Sequence, residues 1–340
     1  MKKLTAKLPY IIAEVGHNHQ GKFNKAIEMI KVAKECGASA VKFQKRFNKK
    51  LYTREFYNSP YIHRNSYGPT YGKHRDFLEF NFEQFQKLKK YAEKINIDFL
   101  VTPFDVDSFL FLEKLKVSSY KIASGDLTNT PLQKEISKSG KLIFLSTGGG
   151  NLNDIKRAVK NIQKKNKNLV ILHCTASYPA SIEDMNLNII KVLKKKFKNN
   201  IIGLSDHENG IDAGPIAYML GARVFEKHFT LDRSLKGTDH SFSLEPLGLQ
   251  KFVRNINRIE VLLGSNNKKF LKSEKNPIHK MAKSIVAGRI IKKGKKILKS
   301  DIEFKSPGGG LSPYKYNEII NKIAKKDFKI DEKINLNEVE

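Results

Sequence analysis

Two short apolar runs between residues 201 and 240 each end in side chains capable of chemistry. Ile201-Ile202-Gly203-Leu204 leads into Ser205-Asp206-His207, and Arg223-Val224-Phe225 leads into Glu226-Lys227-His228. Gly237-Thr238-Asp239-His240 follows shortly after. A buried strand whose last residues turn polar points them into a site at its C-terminal end. Two adjacent parallel strands of this kind bring His207 and His228 to one rim, where a pair of imidazoles suits a divalent metal with positions left for water and substrate oxygens. Taken singly, each histidine reads as a hydrogen-bonded core residue. The metal reading gains its weight from the rest of the chain, which repeats the pattern six more times.

The other strand ends supply a further inventory. Glu14, His17, Asn18 and His19 end the first; Lys42 and Gln44 the second; Thr102 the third; Lys121, Ser124 and Asp126 the fourth. Ser146 and Thr147 end the fifth, His173, Thr175 and Tyr178 the sixth, and Ser205 with His207 the seventh. Two in-strand lysines among hydroxyls, beside the Gly148-Gly149-Gly150 amides, make a cradle for a phosphate and a carboxylate. A lysine inside a barrel also suits a Schiff base with a carbonyl substrate. A single lysine at a strand end reads more simply as a snorkelling side chain.

The elements that position these residues alternate. Strands are expected at residues 9–16, 40–44, 98–103, 119–124, 141–147 and 169–175, then at the two runs above. Helical faces lie between them: Phe23, Ala26, Ile27, Ile30 and Ala33 before a stop at Gly37; 85–95; Leu152, Ile155, Ala158, Val159 and Ile162; 187–197; and 246–263. Residues 45–80, rich in Tyr, Asn, His and Arg, read as one long excursion, either functional or disordered. Eight strand–helix units in roughly 265 residues match a closed (β/α)8 (TIM) barrel. An open doubly wound sheet has the same periodicity and remains the alternative. We expect a barrel over 1–264, a Lys-rich linker over 265–282 and a small β-rich domain over 283–340. Within that domain residues 292–303 (KKGKKILKSDIE) resemble residues 329–340 (KIDEKINLNEVE).

Composition bounds the function classes. The 340 residues carry a formal charge of +29. Basic side chains can neutralise nucleic-acid phosphates, but here they are scattered, with no arm, zinc module or RNA-binding motif. No specific nucleic-acid partner is expected, although the field favours an anionic substrate. No apolar run approaches membrane-spanning length, and Tyr10-Ile11-Ile12-Ala13 is stopped by Glu14, too short for a signal peptide. The two cysteines, Cys36 and Cys174, lack metal-ligand spacing and fit a reducing cytoplasm.

The ordered set IIAEVGHNHQG, AVKFQ, TPF, YKIASGD, LSTGG, HCTASYP, GLSDH and KHFTLDRSLKGTDHSFSLEP resembles the sialic acid synthase family over almost the whole barrel. Residues 66–80 (SYGPTYGKHRDFLEF) are most similar to the branch that includes the animal sialic acid 9-phosphate synthases. KSIVAGRIIKKG resembles the family's small antifreeze-like (SAF, β-clip) domain. The resemblance implies condensation of phosphoenolpyruvate with an open-chain N-acyl hexosamine, either N-acetylmannosamine or its 6-phosphate. It implies that His207 and His228 hold Mn2+ or Mg2+. Lys42 and Thr102 would hold the carboxylate of phosphoenolpyruvate, and Lys121, Ser124, Ser146 and Ser205 its phosphate. Glu14 would serve as acid–base, with Gln44, Tyr178 and Asp239 toward the sugar. The chain departs from many bacterial members at Ala176, where they carry Asn, and at Ser306, where they carry an Arg that reaches across a dimer. A domain-swapped homodimer is expected, the small domain of one subunit capping its partner's barrel. The basic residues His63, Arg64, Lys73, His74 and Arg75 of the excursion are the expected readers of any sugar phosphate.

Overall fold

Strand formation follows the runs of β-branched and aromatic residues, which suit a pleated, buried surface. In the computed structural model, which describes residues 8–340, these runs form Tyr10–Gly16 (β1), Ala40–Lys45 (β2), Asp98–Pro103 (β3), Ser119–Ile122 (β4), Leu142–Ser146 (β5), Leu169–Cys174 (β6), Ile201–Asp206 (β7) and Val224–His228 (β8). All neighbours pair in parallel in chain order, and β8 returns to β1 with Tyr10 opposite Val224 and Glu14 opposite His228. The sheet is therefore a closed barrel rather than an open, doubly wound one.

Register divides the strand residues into two sets, because side chains alternate faces with period two. Ile11, Ala13, Val41, Phe43, Val101, Tyr120, Ile122, Leu145, Ile171, Leu204 and Phe225 face outward and join the helices in one large apolar core. Tyr10, Ile12, Ala40, Leu100, Phe144, Val170, Leu172 and Val224 face inward and fill the N-terminal half of the barrel. Gly203 sits among these inward positions, where a Cβ would overlap the Val224 carbonyl and crowd Leu172. The barrel floor closes because β7 has no side chain there.

The helices bury the faces that their spacing implies. Phe23–Glu35 buries Ala26, Met29, Ile30 and Ala33. Leu152–Gln163 buries Ile155, Ala158, Val159 and Ile162, and begins at Asn151, whose side chain accepts from the Asp154 amide while Asp154 accepts from the Asn151 amide. That reciprocal cap satisfies two otherwise orphaned donors.

Three expectations need correction. Residues 45–80 are not a structureless excursion but hold three short helices, Asn48–Leu51, Arg54–Asn58 and Tyr71–Leu78. Thr53 and Thr70 cap the second and third through their hydroxyls, a local signal that the aromatic and basic composition obscured. The final barrel helix is two pieces, Pro246–Asn257 and Ile259–Leu263. The segment expected as a linker contains a helix, Lys275–Met281, with Pro277 in its first turn, where a missing N–H costs nothing.

The chain divides into two compact units, the first ending at Leu263 and the second spanning Gly264–Glu340. The second has its own apolar core, including Ile285, Ile297, Ile302, Phe328, Ile334 and Val339. Ser284–Ala287 (β9) and Ile302–Lys305 (β10) pair antiparallel. The internal repeat is visible in three dimensions. Ile297 and Ile334 are buried, and each is followed by a turn in which an acidic side chain accepts from an upstream amide: Asp301 from Leu298 and Glu338 from Asn335. Ile302 and Val339 then return to the core. Among the described residues no helix is long and apolar enough to cross a membrane, and Cys36 and Cys174 are both free and buried.

Candidate active site

Moving two residues up from the last inward-facing apolar residue of these strands changes the chemistry from apolar to polar or charged. Ile12 is followed on that face by Glu14, Ala40 by Lys42 and then Gln44, Leu100 by Thr102, and Phe144 by Ser146. Leu172 is followed by Cys174, and Val224 by Glu226 and then His228. The C-terminal mouth of the barrel is therefore a cavity of about 380 Å3. All twelve residues that the sequence assigned to a site line it: Glu14, Lys42, Gln44, Thr102, Lys121, Ser124, Ser146, Tyr178, Ser205, His207, His228 and Asp239. Of the wider inventory, Asn18, Thr147, His173 and Thr175 spend their side-chain polar atoms on the carbonyls of Phe229, Leu172, Met185 and Asp184. They hold the rim together rather than face the cavity.

At the cavity floor two lysines meet two carboxylates. Lys42 Nζ lies 2.8 Å from Glu14 Oε2, 3.1 Å from Thr102 Oγ1 and 3.6 Å from Glu226 Oε1. Lys121 Nζ and Ser205 Oγ each donate to Glu226 Oε1 at 3.1 Å. Burial opposes the charge on Glu226, but the Lys121 and Lys42 ammoniums outweigh it and hold the carboxyl down at about 2. Burial likewise works against the Lys42 ammonium, yet Glu14 and Glu226 raise it above the usual lysine range. Such a lysine is a poor nucleophile, which counts against a Schiff base there. Burial pushes the Glu14 carboxyl up, and Lys42 pulls it back only in part. Lys121 is lowered by burial, with Glu226 opposing.

Hydroxyls and amides complete this end. Ser146 Oγ and Glu226 Oε2 are buried without a hydrogen-bond partner among the described residues, so both have capacity for a ligand. Ser124 Oγ accepts from the Gly148 amide at 3.1 Å and donates to Cys174 Sγ at 3.3 Å.

The two histidines sit at the rim, His228 as the last residue of β8 and His207 just past β7, with ring centroids 5.3 Å apart. His207 Nδ1 is 2.8 Å from the Thr175 carbonyl, which can only accept, so the proton sits on Nδ1 and Nε2 is the nitrogen available to a cation. His228 Nδ1 is buried, has no hydrogen-bond partner among the described residues and lies 3.7 Å from Asp239 Oδ2. Burial lowers the His228 imidazole to about 4, against the opposing pull of Asp239, so it is neutral at pH 7. This donor set fits a divalent ion. Among the described residues no group of three or more His, Cys, Asp or Glu side chains is arranged to hold one, so the remaining positions would fall to water and substrate. Tyr178 covers this edge, its ring 4.3 Å from that of His207.

Gln44 joins the two regions, its Nε2 donating to Glu14 Oε1 at 2.6 Å. The β1–β2 pairing shifts register between Glu14 and Gly16, and Gly16 has φ of +51°. A Cβ there would come within 3.3 Å of Glu14 Oε1 and 3.5 Å of Asp239 Oδ2, so the glycine both makes the bulge and keeps the space clear.

Sequence reasoning missed Glu226 and Arg46, both of which line the cavity. The signal was the period of two: Glu226 precedes His228 by two residues, and Arg46 follows Gln44 by two. Of the basic residues in 45–80 singled out beforehand, Arg75 lines the cavity, whereas Arg64 and Lys73 are exposed.

Comparison with known proteins identifies the family. Residues 29–268 match the NeuB family and residues 282–340 the SAF domain. The chain is 39% identical over 320 residues to N-acetylneuraminate-9-phosphate synthase of Homo sapiens, covering 93% of this chain and 88% of that one. It is 40% identical over 332 residues to N,N'-diacetyllegionaminic acid synthase of Campylobacter jejuni, covering 96% and 99%. Among solved structures, N-acetylneuraminic acid synthetase from Leptospira borgpetersenii in complex with citrate is similar with a TM-score of 0.70 and 34% identity, over 82% of this chain and 94% of that one. The chain therefore belongs to the NeuB family of phosphoenolpyruvate-condensing transferases, the nonulosonic acid synthases.

Proposed function

We propose that this synthase condenses phosphoenolpyruvate with the open-chain aldehyde form of N-acetylmannosamine to give an N-acetylneuraminate skeleton. The observation that carries the reading is the content of a single cavity, whose wall brings two buried lysines and the unpartnered Ser146 together with the histidine pair, Gln44 and Asp239. Lys42 and Thr102 bind the phosphoenolpyruvate carboxylate. Lys121, Ser124, Ser146 and Ser205 bind its phosphate. His207 and His228 would hold Mn2+ or Mg2+, which when bound supplies Lewis acidity toward the sugar aldehyde. Gln44, Tyr178 and Asp239 orient the sugar hydroxyls.

The reaction follows from that placement. The methylene carbon of phosphoenolpyruvate attacks the aldehyde carbon and forms the new C–C bond. Glu14, its carboxyl raised by burial, donates a proton to the former aldehyde oxygen and afterwards recovers one. Positive charge develops at the enol carbon, close to the carboxylates of Glu14 and Glu226. Water adds there, its proton passing to Glu226, which an incoming phosphate displaces from Lys121 and Ser205. The tetrahedral intermediate then collapses by C–O cleavage, its hydroxyl proton passing to the departing phosphate oxygen. This leaves a ketone and inorganic phosphate, and the proton taken up by Glu226 is returned to Glu14.

The sugar skeleton draws support from the synthases of 9-phosphorylated and free N-acetylneuraminate among the relatives, while the legionaminic acid relative keeps a second acyl-amino sugar as the alternative. We also propose a homodimer in which residues from 283 onward cap a partner's barrel, Ser306 standing where an arginine would otherwise reach the acyl group. Phosphate release from phosphoenolpyruvate against a panel of hexosamines and hexoses tests the reading. N-acetylmannosamine or its 6-phosphate should support turnover in the presence of divalent metal. Turnover with an unrelated aldose only would overturn it.

A further inference from the structure

Four lysines buried in the barrel each meet a carboxylate: Lys42 meets Glu14, Lys45 Glu79, Lys121 Glu226 and Lys227 Asp206, all at 2.7–3.1 Å. Arg46, only 7% exposed, meets none among the described residues. Its nearest acidic neighbour, Glu79, is already paired with Lys45 at 2.8 Å and accepts only the backbone N–H of Arg46, at 3.2 Å. The Arg46 guanidinium donates to Gln44 Oε1 at 2.6 Å and lies over the Phe104 ring, 3.7 Å from its centroid.

A second guanidinium stands beside it. Arg46 Nη1 is 2.9 Å from His17 Nε2, and Arg75 Nη1 is 3.1 Å from His17 Nδ1. Among the described residues, Arg75 otherwise hydrogen-bonds only to the Tyr71 hydroxyl, at 2.9 and 3.1 Å. Burial, reinforced by Arg46 and Arg75, keeps the His17 imidazole well below its ordinary range. A neutral imidazole has one lone pair and one N–H, so it can accept from only one of the two guanidiniums. The other presents an N–H to an N–H. Two like charges are thus held together around one imidazole, in the wall of the cavity, and neither forms an ion pair with a carboxylate among the described residues.

Their position along the cavity says which part of a ligand they meet. Gln44 bridges Glu14 and Arg46, donating to one and accepting from the other, each at 2.6 Å. A sugar whose aldehyde reacts beside Glu14 and runs along Gln44 brings its far end to the arginines. We propose that Arg46 and Arg75 form an anion site for a phosphate monoester at that end, making the preferred acceptor a 6-phosphorylated N-acyl hexosamine. Two forked guanidiniums match the oxygens of a phosphate and supply the counter-charge that both sides lack. The inference rests on the acceptor reading above, and free phosphate is the other source of the same chemistry.

The test measures kcat/KM for N-acetylmannosamine and its 6-phosphate, for the intact chain and for Arg46→Gln, Arg75→Gln and Arg75→Lys. The intact chain should favour the phosphate roughly 100-fold, and each Gln variant should cut that ratio roughly tenfold. Arg75→Lys retains charge without the fork and should keep part of the preference. Equal or better use of the free sugar, or a ratio that survives in the Gln variants, overturns the proposal while leaving the synthase reading intact. Calorimetric titration under chelator covers the case in which neither sugar turns over. Binding of the 6-phosphate but not the free sugar, lost in Arg46→Gln, supports the site although the acceptor reading has failed. Absence of that binding overturns both. Inorganic phosphate binding as tightly as the sugar phosphate, with the same losses in the variants, assigns the site to free phosphate and overturns the acceptor proposal.

Discussion

Lys121 Nζ and Glu226 Oε1 lie 3.1 Å apart in a barrel interior where neither residue is more than 4% exposed. The pair occupies the place proposed for the substrate phosphate, so the free site is already neutralised from within. An incoming trianion must take Lys121 and Ser205 away from Glu226.

Glu226→Gln tests this exchange. Removing the carboxylate strips Lys121 of its counter-charge, and breaking a buried ion pair costs about 3–5 kcal/mol. Chemical denaturation should show a loss of that order, and saturating phosphoenolpyruvate should restore much of it by supplying the missing anion. Turnover should fall even with phosphoenolpyruvate saturating, because the proton acceptor for water is gone. Unchanged stability would show that the pair carries little of the fold.

His207→Ala and His228→Ala should each abolish turnover while leaving the melting temperature within a few degrees of the parent, since both side chains sit at the cavity edge. Chelator should silence the parent chain and Mn2+ or Mg2+ restore it. A variant that retains near-parental activity after metal replacement would mark that histidine as a wall residue only.

Stability should fall as pH drops below about 6.5. His19, stacked 4.3 Å from Phe80, is lowered by burial to about 3, and His240, bonded to Thr230 at 2.7 Å, is lowered by burial to about 4. Between those values and the ordinary 6.5 the unfolded chain binds protons that the folded chain does not, so stability is lost on acidification and is fully present above 6.5. Each contributes on the order of a few kcal/mol across the window. Denaturation midpoints at pH 7 and pH 5 measure the slope. His240→Asn should flatten it, and a slope unaltered in that variant would show that the histidine does not drive the loss.

A chain ending at residue 282 should still bind phosphoenolpyruvate, all of whose proposed contacts lie in the barrel, but lose most of its use of the sugar. A truncated monomer with full activity would remove the capping role of the second unit.

The barrel was legible because its strands are bounded apolar runs and its helices repeat on a 3.6-residue period. Most of the twelve site residues were legible because they stand at or near the ends of such runs, whereas Asp239, in the loop after β8, was legible only through the family resemblance. Closure was not, since pairing of Tyr10 with Val224 leaves no mark on local periodicity. Glu226 was passed over as one of three polar residues ending β8, although alternation places it on the same face as His228. Arg46 escaped notice for a different reason. It follows Lys45 in an apparently exposed basic loop, and only the structure shows Lys45 paired with Glu79 while Arg46 is buried without a carboxylate. The short helices of 45–80 hid behind aromatic composition, their Thr53 and Thr70 caps unread.

The fate of the bridging oxygen of phosphoenolpyruvate tests the central claim most directly. Phosphoenolpyruvate labelled with 18O at that oxygen is incubated with the chain, divalent metal and N-acetylmannosamine or its 6-phosphate, and the products are followed by 31P NMR and mass spectrometry. C–O cleavage after C–C bond formation predicts that the label leaves with inorganic phosphate, and only when the acceptor is present. Label retained in the organic product, or phosphate released at the same rate without acceptor, would contradict the account.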